Sequence, residues 1–301
     1  MKRFHIYVLI CTAALLTACN NKADKDYHND LVAILGSSTN DYWQDMSTGI
    51  ASEAGLFNIT TLDIWYTGGD NDAASQLSAL NSLGKYKSLY GIIIAPINQE
   101  VEAAAYNAGS TLDIPVVVLD SPVTEDTPLY EKARTQIYTD NAAATEKLYN
   151  LAKEDSNLYI LFVGKDNSNS SRARRAAAKS LEEKNGLEYR EIVTDCETDN
   201  VGTLLKDAFS AHPEISAVIC LNGSLITDQF LDAAKGKAVY TFDYTGTIAS
   251  AIIDGKIKCA ARQHTIEMGV AAVDAVFNPL IINPYLFDVE LIDRASLNRS
   301  E

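Results

Sequence analysis

The chain has 301 residues, 47% of them hydrophobic, which is enough to bury one or more sizeable cores and argues against extended disorder. Its formal charge of −15 repels phosphate backbones and anionic lipid headgroups, so we expect no nucleic-acid partner. The four histidines and five cysteines show no spacing typical of a metal site, and we expect neither a metal nor another cofactor.

The first residues are typical of an export signal rather than of a folded domain. Lys2 and Arg3 precede an apolar run, 4–16, that is shorter than the roughly 20 residues a helix needs to cross a bilayer. The run ends in the sequence LTAC, which resembles the bacterial lipobox, in which the cysteine is lipidated and becomes the new N-terminus. We therefore expect removal of residues 1–18 and lipidation of Cys19. An ordinary signal peptide with a coincidental cysteine is the alternative.

The mature chain then begins with a polar segment, 19–30, which we interpret as a tether between a lipid anchor and the folded part. Loss of Lys2 and Arg3 lowers the formal charge from −15 to −17. We expect a monomer in the cell envelope, either periplasmic or at the cell surface, that contacts the membrane only through its lipid. Three cysteines remain beyond the anchor. Cys220 and Cys259 lie in apolar runs typical of buried thiols, and any pairing with Cys196 stays open.

From residue 31 onward, short apolar runs alternate with amphipathic segments, and Asp, Asn, Ser or Thr precede many of the latter, as helix caps do. We predict strands at 31–35, 61–65, 89–95, 115–119, 158–163, 188–193, 217–221, 238–242 and 257–261. We predict helices at 72–84, 98–109, 141–154, 171–185, 200–211, 225–235 and 265–277. Such alternation indicates an α/β protein in which helices cover both faces of parallel sheets.

These strand and helix units are more than one sheet usually accommodates. Two doubly wound lobes joined by a multi-strand hinge fit the pattern better. We place 31–139 and 264–280 in the first lobe, 140–263 and 281–292 in the second, and leave 293–301 as a tail. The hinge segments are expected near 139–141, 263–264 and 280–284. Since doubly wound sheets bind ligands at the carboxyl ends of their strands, two facing lobes can close over a small molecule.

Polar and aromatic side chains follow the predicted strands at this edge. They are Asn40, Tyr42, Trp43, Asp120, Asp140, Asn141, Asn222, Asp243, Arg262 and Gln263, with Arg172, Arg174 and Arg175 at the start of a helix. Each alone could be a helix cap, a surface charge or a packing aromatic. Together they match a sugar, because carboxylates, amides and guanidinium groups pair with hydroxyls and aromatic rings cover C–H faces.

The sequence over 31–292 resembles type I periplasmic binding proteins, most closely the branch that binds ribose and galactose. The resemblance is carried by "LVAILGSSTNDYW", "IPVVVLD", "SSRARRAAAKSL", "AHPEISAVICLNG" and "VYTFDYTGTIASAIIDGKIKCAARQ". It implies ligand contacts from Asn40, Tyr42, Trp43, Asp120, Thr139, Arg174, Asn222, Asp243 and Gln263.

Three departures from the family pattern bear on the ligand. Ser121 stands where ribose binders carry Arg, Ala95 precedes Pro96 where Asn or Asp is usual, and Gly223 replaces an Asp. We therefore expect another pentose, a hexose or a similar polyol instead of ribose. Related repressors begin with a DNA-binding helix-turn-helix, and a signal peptide occupies that place here.

The resemblance implies a non-enzymatic, lipid-anchored receptor that captures a monosaccharide and delivers it to an ABC importer. A sensor that reports the sugar to a histidine kinase or chemoreceptor is the alternative. A glycan hydrolase using Asp120 and Asp243 is disfavoured, because neighbouring Arg and Gln side chains would keep the carboxylates ionised.

Overall fold

The structure is a computed structural model that describes residues 29–68, 72–121, 133–155, 160–166, 168–194, 200–278 and 284–297. The predicted signal peptide, the lipidation site Cys19, most of the tether, Cys196 and most of the predicted hinge segment 280–284 lie outside these residues. Those expectations therefore stay predictions.

The first lobe is built from strands whose side chains are buried on both faces, as in β1, where Leu31 to Leu35 are at most 1% exposed. Its elements are β1 (Asp30–Ser37), α1 (Asp41–Ala54), β2 (Thr61–Thr67), α2 (Ala73–Asn81), a 3-10 turn (Leu83–Lys85), β3 (Leu89–Ile94), α3 (Gln99–Leu112), β4 (Val116–Leu119) and β5 (Ala133–Thr139).

The second lobe repeats this alternation. Its elements are α4 (Asn141–Asp155), β6 (Ile160–Lys165), α5 (Asn169–Lys184), β7 (Glu191–Thr194), α6 (Val201–Ala211), β8 (Ala217–Cys220), a 3-10 turn (Gly223–Leu225), α7 (Asp228–Ala233), β9 (Ala238–Phe242), α8 (Gly246–Ile253) and β10 (Cys259–Gln263). The chain ends with α9 (Thr265–Phe277), β11 (Tyr285–Phe287), β12 (Val289–Asp293) and α10 (Arg294–Leu297).

The described strands form two six-stranded sheets, in the orders β11-β5-β4-β3-β1-β2 and β12-β10-β9-β8-β6-β7. Their pairings are parallel, apart from the antiparallel pairing of β12 with β10. Helices cover both faces of each sheet. This arrangement confirms the predicted α/β fold with two doubly wound lobes.

Within the described residues the chain passes between the lobes at three places: after β5, after β10, and at Asp288 between β11 and β12. The prediction put the third passage near 280–284 and assigned all of 281–292 to the second lobe. The structure differs, because Tyr285–Phe287 pairs with β5 in the first sheet. This short strand exposes Tyr285 and Leu286, and its three residues are too few for the sequence to reveal a strand. The other lobe limits stay predictions.

Helix α9 packs on the first lobe, where it lies directly against α1. A Cβ atom added to Gly49 would lie 2.0 Å from the carbonyl oxygen of Ile266, and one added to Gly269 would lie 2.3 Å from that of Met46. Two glycines therefore allow the two backbones to touch. Met268, with other apolar side chains of α9, joins the core beneath them.

One carboxyl group in each lobe is buried away from the gap between the lobes. Glu102 on α3 is fully buried, and burial raises its pKa to about 7, with Tyr106 opposing the shift. Glu182 on α5 is 1% exposed, and burial raises its pKa to about 7 as well. An unfolded glutamate titrates near 4.3, so ionisation of these groups destabilises the folded state as the pH rises from about 4.3 to 7.

We expect Glu102→Gln to stabilise the protein at pH 8, where the parent carries a buried charge, by on the order of 3 kcal/mol, and to change stability little at pH 4.5. Urea unfolding at the two pH values measures this difference. Glu188→Gln, at a side chain that is 74% exposed, is the matched control and should show no such dependence. An equal gain from Glu102→Gln at both pH values would contradict the burial of an ionisable carboxyl group.

Candidate functional site

Two aspartates occupy equivalent positions in the two lobes. Asp120 follows β4 and Asp243 follows β9, the fourth strand from the β2 edge and from the β7 edge of their sheets. Both have positive φ, 64° and 66°, a conformation that costs energy in a residue other than glycine. Each backbone N–H donates to the next strand, Asp120 to Ile137 at 2.8 Å and Asp243 to Ala261 at 3.0 Å. The two turns thus direct carboxylates into the gap between the lobes.

Tyr42 is held at the start of α1 and reaches the first of these carboxylates. The side chain of Asn40 caps the helix by accepting from the backbone N–H of Tyr42 at 3.0 Å. The Tyr42 hydroxyl donates to Oδ1 of Asp120. Burial, followed by the charge of Asp120, raises the pKa of Tyr42 well above its usual value, so the phenol keeps its proton and remains the donor.

Burial also raises the pKa of Asp120, and the nearby charge of Asp243 adds to this effect. The hydrogen bond from Tyr42 and the positive charge of Arg174 act in the opposite direction and favour the ionised carboxylate. Asp120 therefore has strong acceptor oxygens in a partly desolvated position, where each hydrogen bond to a ligand contributes more than it would in water.

Trp43 lies against the backbone of Gly36 at the end of β1. A Cβ atom added to Gly36 would lie 2.1 Å from the indole Nε1, so a larger residue would displace the ring. The rings of Tyr42 and Trp43 meet edge to face, with centroids 4.9 Å apart. Together they form the aromatic pair of the site. Both rings are partly exposed to the gap between the lobes, which explains why two large aromatics follow a strand-to-helix loop.

In the second lobe, Arg174 on α5 is only 4% exposed and is fixed from several sides. Its Nε donates to Oδ1 of Asn141 at 2.7 Å, and its Nη1 donates to the carbonyl oxygen of Leu221 at 2.9 Å. Its guanidinium carbon lies 4.0 Å from the ring centroid of Phe242. The charge is thus placed at the cleft wall by a rigid surrounding.

A chain of hydrogen bonds fixes Asp243 and connects it to the hinge. Thr139 Oγ1 donates to Oε1 of Gln263 at 2.7 Å, and Nε2 of Gln263 donates to Oδ1 of Asp243. The backbone N–H of Gly223 donates to Oδ2 of the same carboxylate at 2.9 Å. Both oxygens of the Asp243 carboxylate are therefore held by donors, which fixes its orientation.

Asn222 is held just as firmly. Its Oδ1 accepts from the backbone N–H of Lys165 at 2.9 Å, and its Nδ2 donates to the hydroxyl of Ser171 at 2.8 Å. The amide thus joins the ends of β6 and β8 to the first turn of α5. Both of its polar atoms are engaged, which fixes its orientation at the cleft wall.

A cavity of about 620 Å³ lies between the lobes. Eight of the nine predicted ligand residues line it: Asn40, Tyr42, Trp43, Asp120, Arg174, Asn222, Asp243 and Gln263. Thr139 does not line it but holds Gln263. The structure therefore brings the predicted side chains together around one space, and their contact with a ligand stays a prediction.

Several lining residues were missed by the sequence analysis, among them Gln76, Lys165, Ser168, Ser170 and Ser224. Gln76 is 2% exposed and spans the loop after β3 by donating to the carbonyl of Ala95 at 2.7 Å and accepting from the N–H of Ile97 at 3.0 Å. Lys165, 3% exposed, ends an otherwise apolar strand, and a lysine at the carboxyl end of such a run was the available signal.

A hydrogen bond between the two lobes borders the cavity. The hydroxyl of Ser170, at the start of α5 in the second lobe, donates to the carbonyl oxygen of Asp120 in the first lobe at 2.6 Å. The lobes are therefore in contact through this bond as well as through the hinge.

Other residues at strand ends act as a helix cap or form surface pairs, which was the alternative interpretation for each of them. Asp140 caps α4 by accepting from the N–H of Ala143 at 2.9 Å. Arg172 donates to Asn169 at 2.6 Å, and Arg175 forms a bidentate pair with Glu191. These side chains stabilise the second lobe and do not line the cavity.

Cys220 and Cys259 are buried, as predicted, and do not pair with each other, and burial raises the pKa of each thiol to about 12. Among the residues that the structure describes, no group of three or more His, Cys, Asp or Glu side chains is arranged to hold a metal ion. In the same part of the chain, no helix has the length and apolar character needed to span a bilayer.

Residues 31–280 match the family described as the periplasmic binding protein domain. The chain belongs to this family. The ABC transporter solute binding protein of Agrobacterium vitis with bound D-fucose superimposes with a TM-score of 0.77 at 16% identity, over 90% of this chain and 97% of that one. Caulobacter myo-inositol binding protein, bound to myo-inositol, gives 0.74 at 16% identity over 90% and 95%.

A putative LacI transcriptional regulator from Bacteroides fragilis also superimposes on this periplasmic binding protein, with a TM-score of 0.75 at 15% identity, over 90% of this chain and 99% of that one. No curated protein matches the sequence. At these identities the structural similarities establish a shared fold, and the ligand has to be argued from the cavity.

The close packing around Gly223 in this periplasmic binding protein explains one departure from the family pattern. Gly223 stands where an Asp is usual, and a Cβ atom there would lie 2.6 Å from the carbonyl oxygen of Phe242 and 2.7 Å from Cβ of Asp243. The missing side chain lets the Asp243 carboxylate approach the Gly223 N–H directly.

We expect Gly223→Ala to destabilise the protein by about 1–3 kcal/mol, because the added methyl group must push Asp243 or the β9 backbone aside. Urea unfolding measures the change. Gly246→Ala is the control in the same lobe, since a Cβ atom there meets nothing within 4 Å. Equal stability of the two variants would contradict the close approach of Gly223 to Asp243.

Proposed function

We propose that this periplasmic binding protein is an extracytoplasmic, lipid-anchored receptor that captures a sugar ring between its lobes and delivers it to an ABC importer. A pentose, a hexose or a similar polyol other than ribose is the expected monosaccharide unit. The single observation that carries the proposal is the shared cavity, in which both lobes contribute an aspartate and the first lobe adds the aromatic pair.

The chemistry of the cavity wall fits hydroxyl groups. Asp120 and Asp243 supply acceptor oxygens, Arg174 supplies a positive charge and donors, and Asn222 and Gln263 are amides that can both donate and accept. The aromatic pair matches the apolar C–H face of a sugar ring with little side-chain entropy to lose. A charged hydrogen bond contributes about 1.5–3 kcal/mol net, so a few such bonds support micromolar affinity.

The compared structures support the same class of ligand. Two of them hold bound D-fucose and bound myo-inositol, which are hydroxyl-rich six-membered rings, and one of these two is an ABC transporter solute binding protein. The similarity to a LacI-type regulator does not favour a DNA-binding role here, because the net charge of −15 opposes contact with phosphates.

Opening and closing of the cleft is the proposed binding mechanism. Rotation about the three interlobe passages would separate Asp120 from Ser170 and admit the ligand, and closure would restore this hydrogen bond around it. The bond from Thr139 to Gln263 lies at the hinge and links its position to Asp243, so closure and ligand contact involve the same residues.

Non-enzymatic binding fits these carboxylates better than hydrolysis does. A general acid must donate a proton, whereas both oxygens of Asp243 already accept hydrogen bonds, Oδ1 from Gln263 and Oδ2 from Gly223. Asp120 accepts from Tyr42, and this bond together with Arg174 opposes the rise in its pKa that burial causes. Both aspartates are thus prepared to accept hydrogen bonds from a ligand.

Delivery to an importer and anchoring through Cys19 rest on the lipobox and on family membership. A sugar sensor that reports to a histidine kinase or a chemoreceptor is the second candidate, because the same closure could be read by either partner. The gene neighbourhood distinguishes them: permease and ATPase genes support the importer, and a kinase gene supports the sensor.

The two tryptophans offer a direct test of where a sugar binds. In Trp65→Phe, Trp43 is the only indole, and we expect binding of a monosaccharide to change the fluorescence, because the ring covers Trp43. In Trp43→Phe, the only indole is Trp65 on the edge strand β2, and the emission should not change. A sugar that changes the signal only in Trp43→Phe would place the site elsewhere.

Affinity provides the second test. We expect Trp43→Ala and Asp243→Ala each to weaken binding at least tenfold in isothermal titration calorimetry, since each loses a contact of about 1.4 kcal/mol or more. A thermal-shift screen of monosaccharides identifies the ligand to use, because saturation at 100 times Kd stabilises the protein by about 2.7 kcal/mol. If sugars and polyols fail in this screen while amino acids or nucleosides succeed, the proposed ligand class is wrong.

A further inference from the structure

A second chamber, of about 440 Å³, adjoins the interlobe cavity. Five residues line both spaces and therefore lie between them: Asp41, Tyr42, Asp243, Thr245 and Gln263. The second chamber extends from this shared wall past the first turns of α1 and α8 and the beginning of α9. It lies beside the main cavity and shares part of its wall, and most of its lining is not among the predicted ligand residues.

Both lobes contribute to the walls of the second chamber. Asp45 comes from α1 in the first lobe, whereas Tyr244 and Ala249 come from the second lobe, before and within α8. Arg262, at the end of β10, and Glu267, in α9, line it at the hinge. A ligand group in this space would be enclosed by lobe closure, as a ring in the main cavity would be.

The side chains of the second chamber belong to the same chemical classes as those of the main cavity. Tyr244 packs its ring on the core of the second lobe, and the guanidinium carbon of Arg262 lies 6.0 Å from the centroid of that ring. Asp45 and Glu267 provide carboxylates, and Arg262, which also pairs with Glu290, provides a guanidinium group. An aromatic ring, two carboxylates and a guanidinium group suit another polyhydroxylated unit.

The volume of the cleft also favours a ligand larger than one sugar ring. A hexose has roughly twelve non-hydrogen atoms, and with at most about 30 Å³ for each, the volume of a water molecule in the liquid, it fills no more than about 360 Å³. The main cavity measures about 620 Å³ and the second chamber adds about 440 Å³. One ring therefore leaves much of the space between the lobes to water.

We propose that the ligand is a disaccharide, with one ring on the aromatic pair between Asp120 and Asp243 and a glycosidically linked second ring in the second chamber against Tyr244 and Arg262. This inference rests on the proposed function, because it assumes that the main cavity holds a sugar ring. It names the second chamber as a subsite that sets the length of the ligand.

The test compares each monosaccharide with its disaccharides on the purified full chain by isothermal titration calorimetry. Glucose, galactose, arabinose and xylose, with maltose, cellobiose, lactose, melibiose, arabinobiose and xylobiose, form the panel. We expect one disaccharide to bind at least tenfold more tightly than either of its component sugars, because the second ring adds contacts with the second chamber.

Two neighbouring substitutions on α8 locate the second ring. Ala249→Trp places an indole in the second chamber and should weaken disaccharide binding at least tenfold, while monosaccharide affinity stays within twofold. Ser250→Trp puts the same group on the exposed neighbour, which lines neither space, and should change neither affinity.

A second pair of variants avoids any packing effect of the indole. Arg262→Ala removes the guanidinium group next to Tyr244 and should weaken disaccharide binding alone. Arg172→Ala is the matched control, because both side chains are 47% exposed and Arg172 lines neither space.

The outcomes separate this inference from the proposed function. Monosaccharide binding without any gain from a second ring would overturn the subsite and leave the sugar receptor intact. Equal losses of both ligand types in Ala249→Trp or in Arg262→Ala would also overturn it. If no sugar of the panel binds and no other monosaccharide or polyol binds in the thermal-shift screen, the proposed function and the subsite are both wrong.

Discussion

The contact between α1 and α9 is the constraint on which the site depends. The two glycines at this contact, Gly49 and Gly269, bring the backbones together, so that α1 has one position on the first sheet. The first turn of α1 carries Asn40, Tyr42 and Trp43, and its last buried residues pack under α9. The orientation of the aromatic pair therefore depends on α9, a helix that follows the second lobe in the chain and returns to pack on the first lobe.

The two lobes place an aspartate at equivalent positions of the cavity, but the hydrogen-bond partners of the two aspartates differ. Asp120 and Asp243 follow equivalent strands and share a positive φ, yet one accepts from a phenol and the other from an amide and a backbone N–H. The repeated βα topology thus supplies two carboxylates at the strand ends. The local sequence around each then decides its partners, so two similar lobes present different walls to one ligand.

The sequence allowed much of this architecture to be predicted, because buried parallel strands appear as continuous apolar runs, as at 31–35, 115–119 and 238–242. Helices α1 and α8 and strands β5, β11 and β12 were not given bounds from the sequence. Strands β5 and β12 mix polar with apolar residues, β11 has only three residues, and all three lie at or next to a sheet edge. The resemblance identified the residues at strand ends well. Gln76 escaped it, because it lies inside a helix where only three-dimensional packing reveals that it faces the cavity, whereas Lys165 was overlooked although it ends an apolar strand.

The late position of α9 in the chain also has a consequence for biosynthesis. The core of the first lobe needs Met268 and its neighbours, so about the first 260 residues to be synthesised cannot complete that core. Contacts between segments so far apart form slowly, because a long loop must close before they contribute. A chain bound for export, as proposed here, would therefore stay unfolded long enough to pass through a narrow translocation channel.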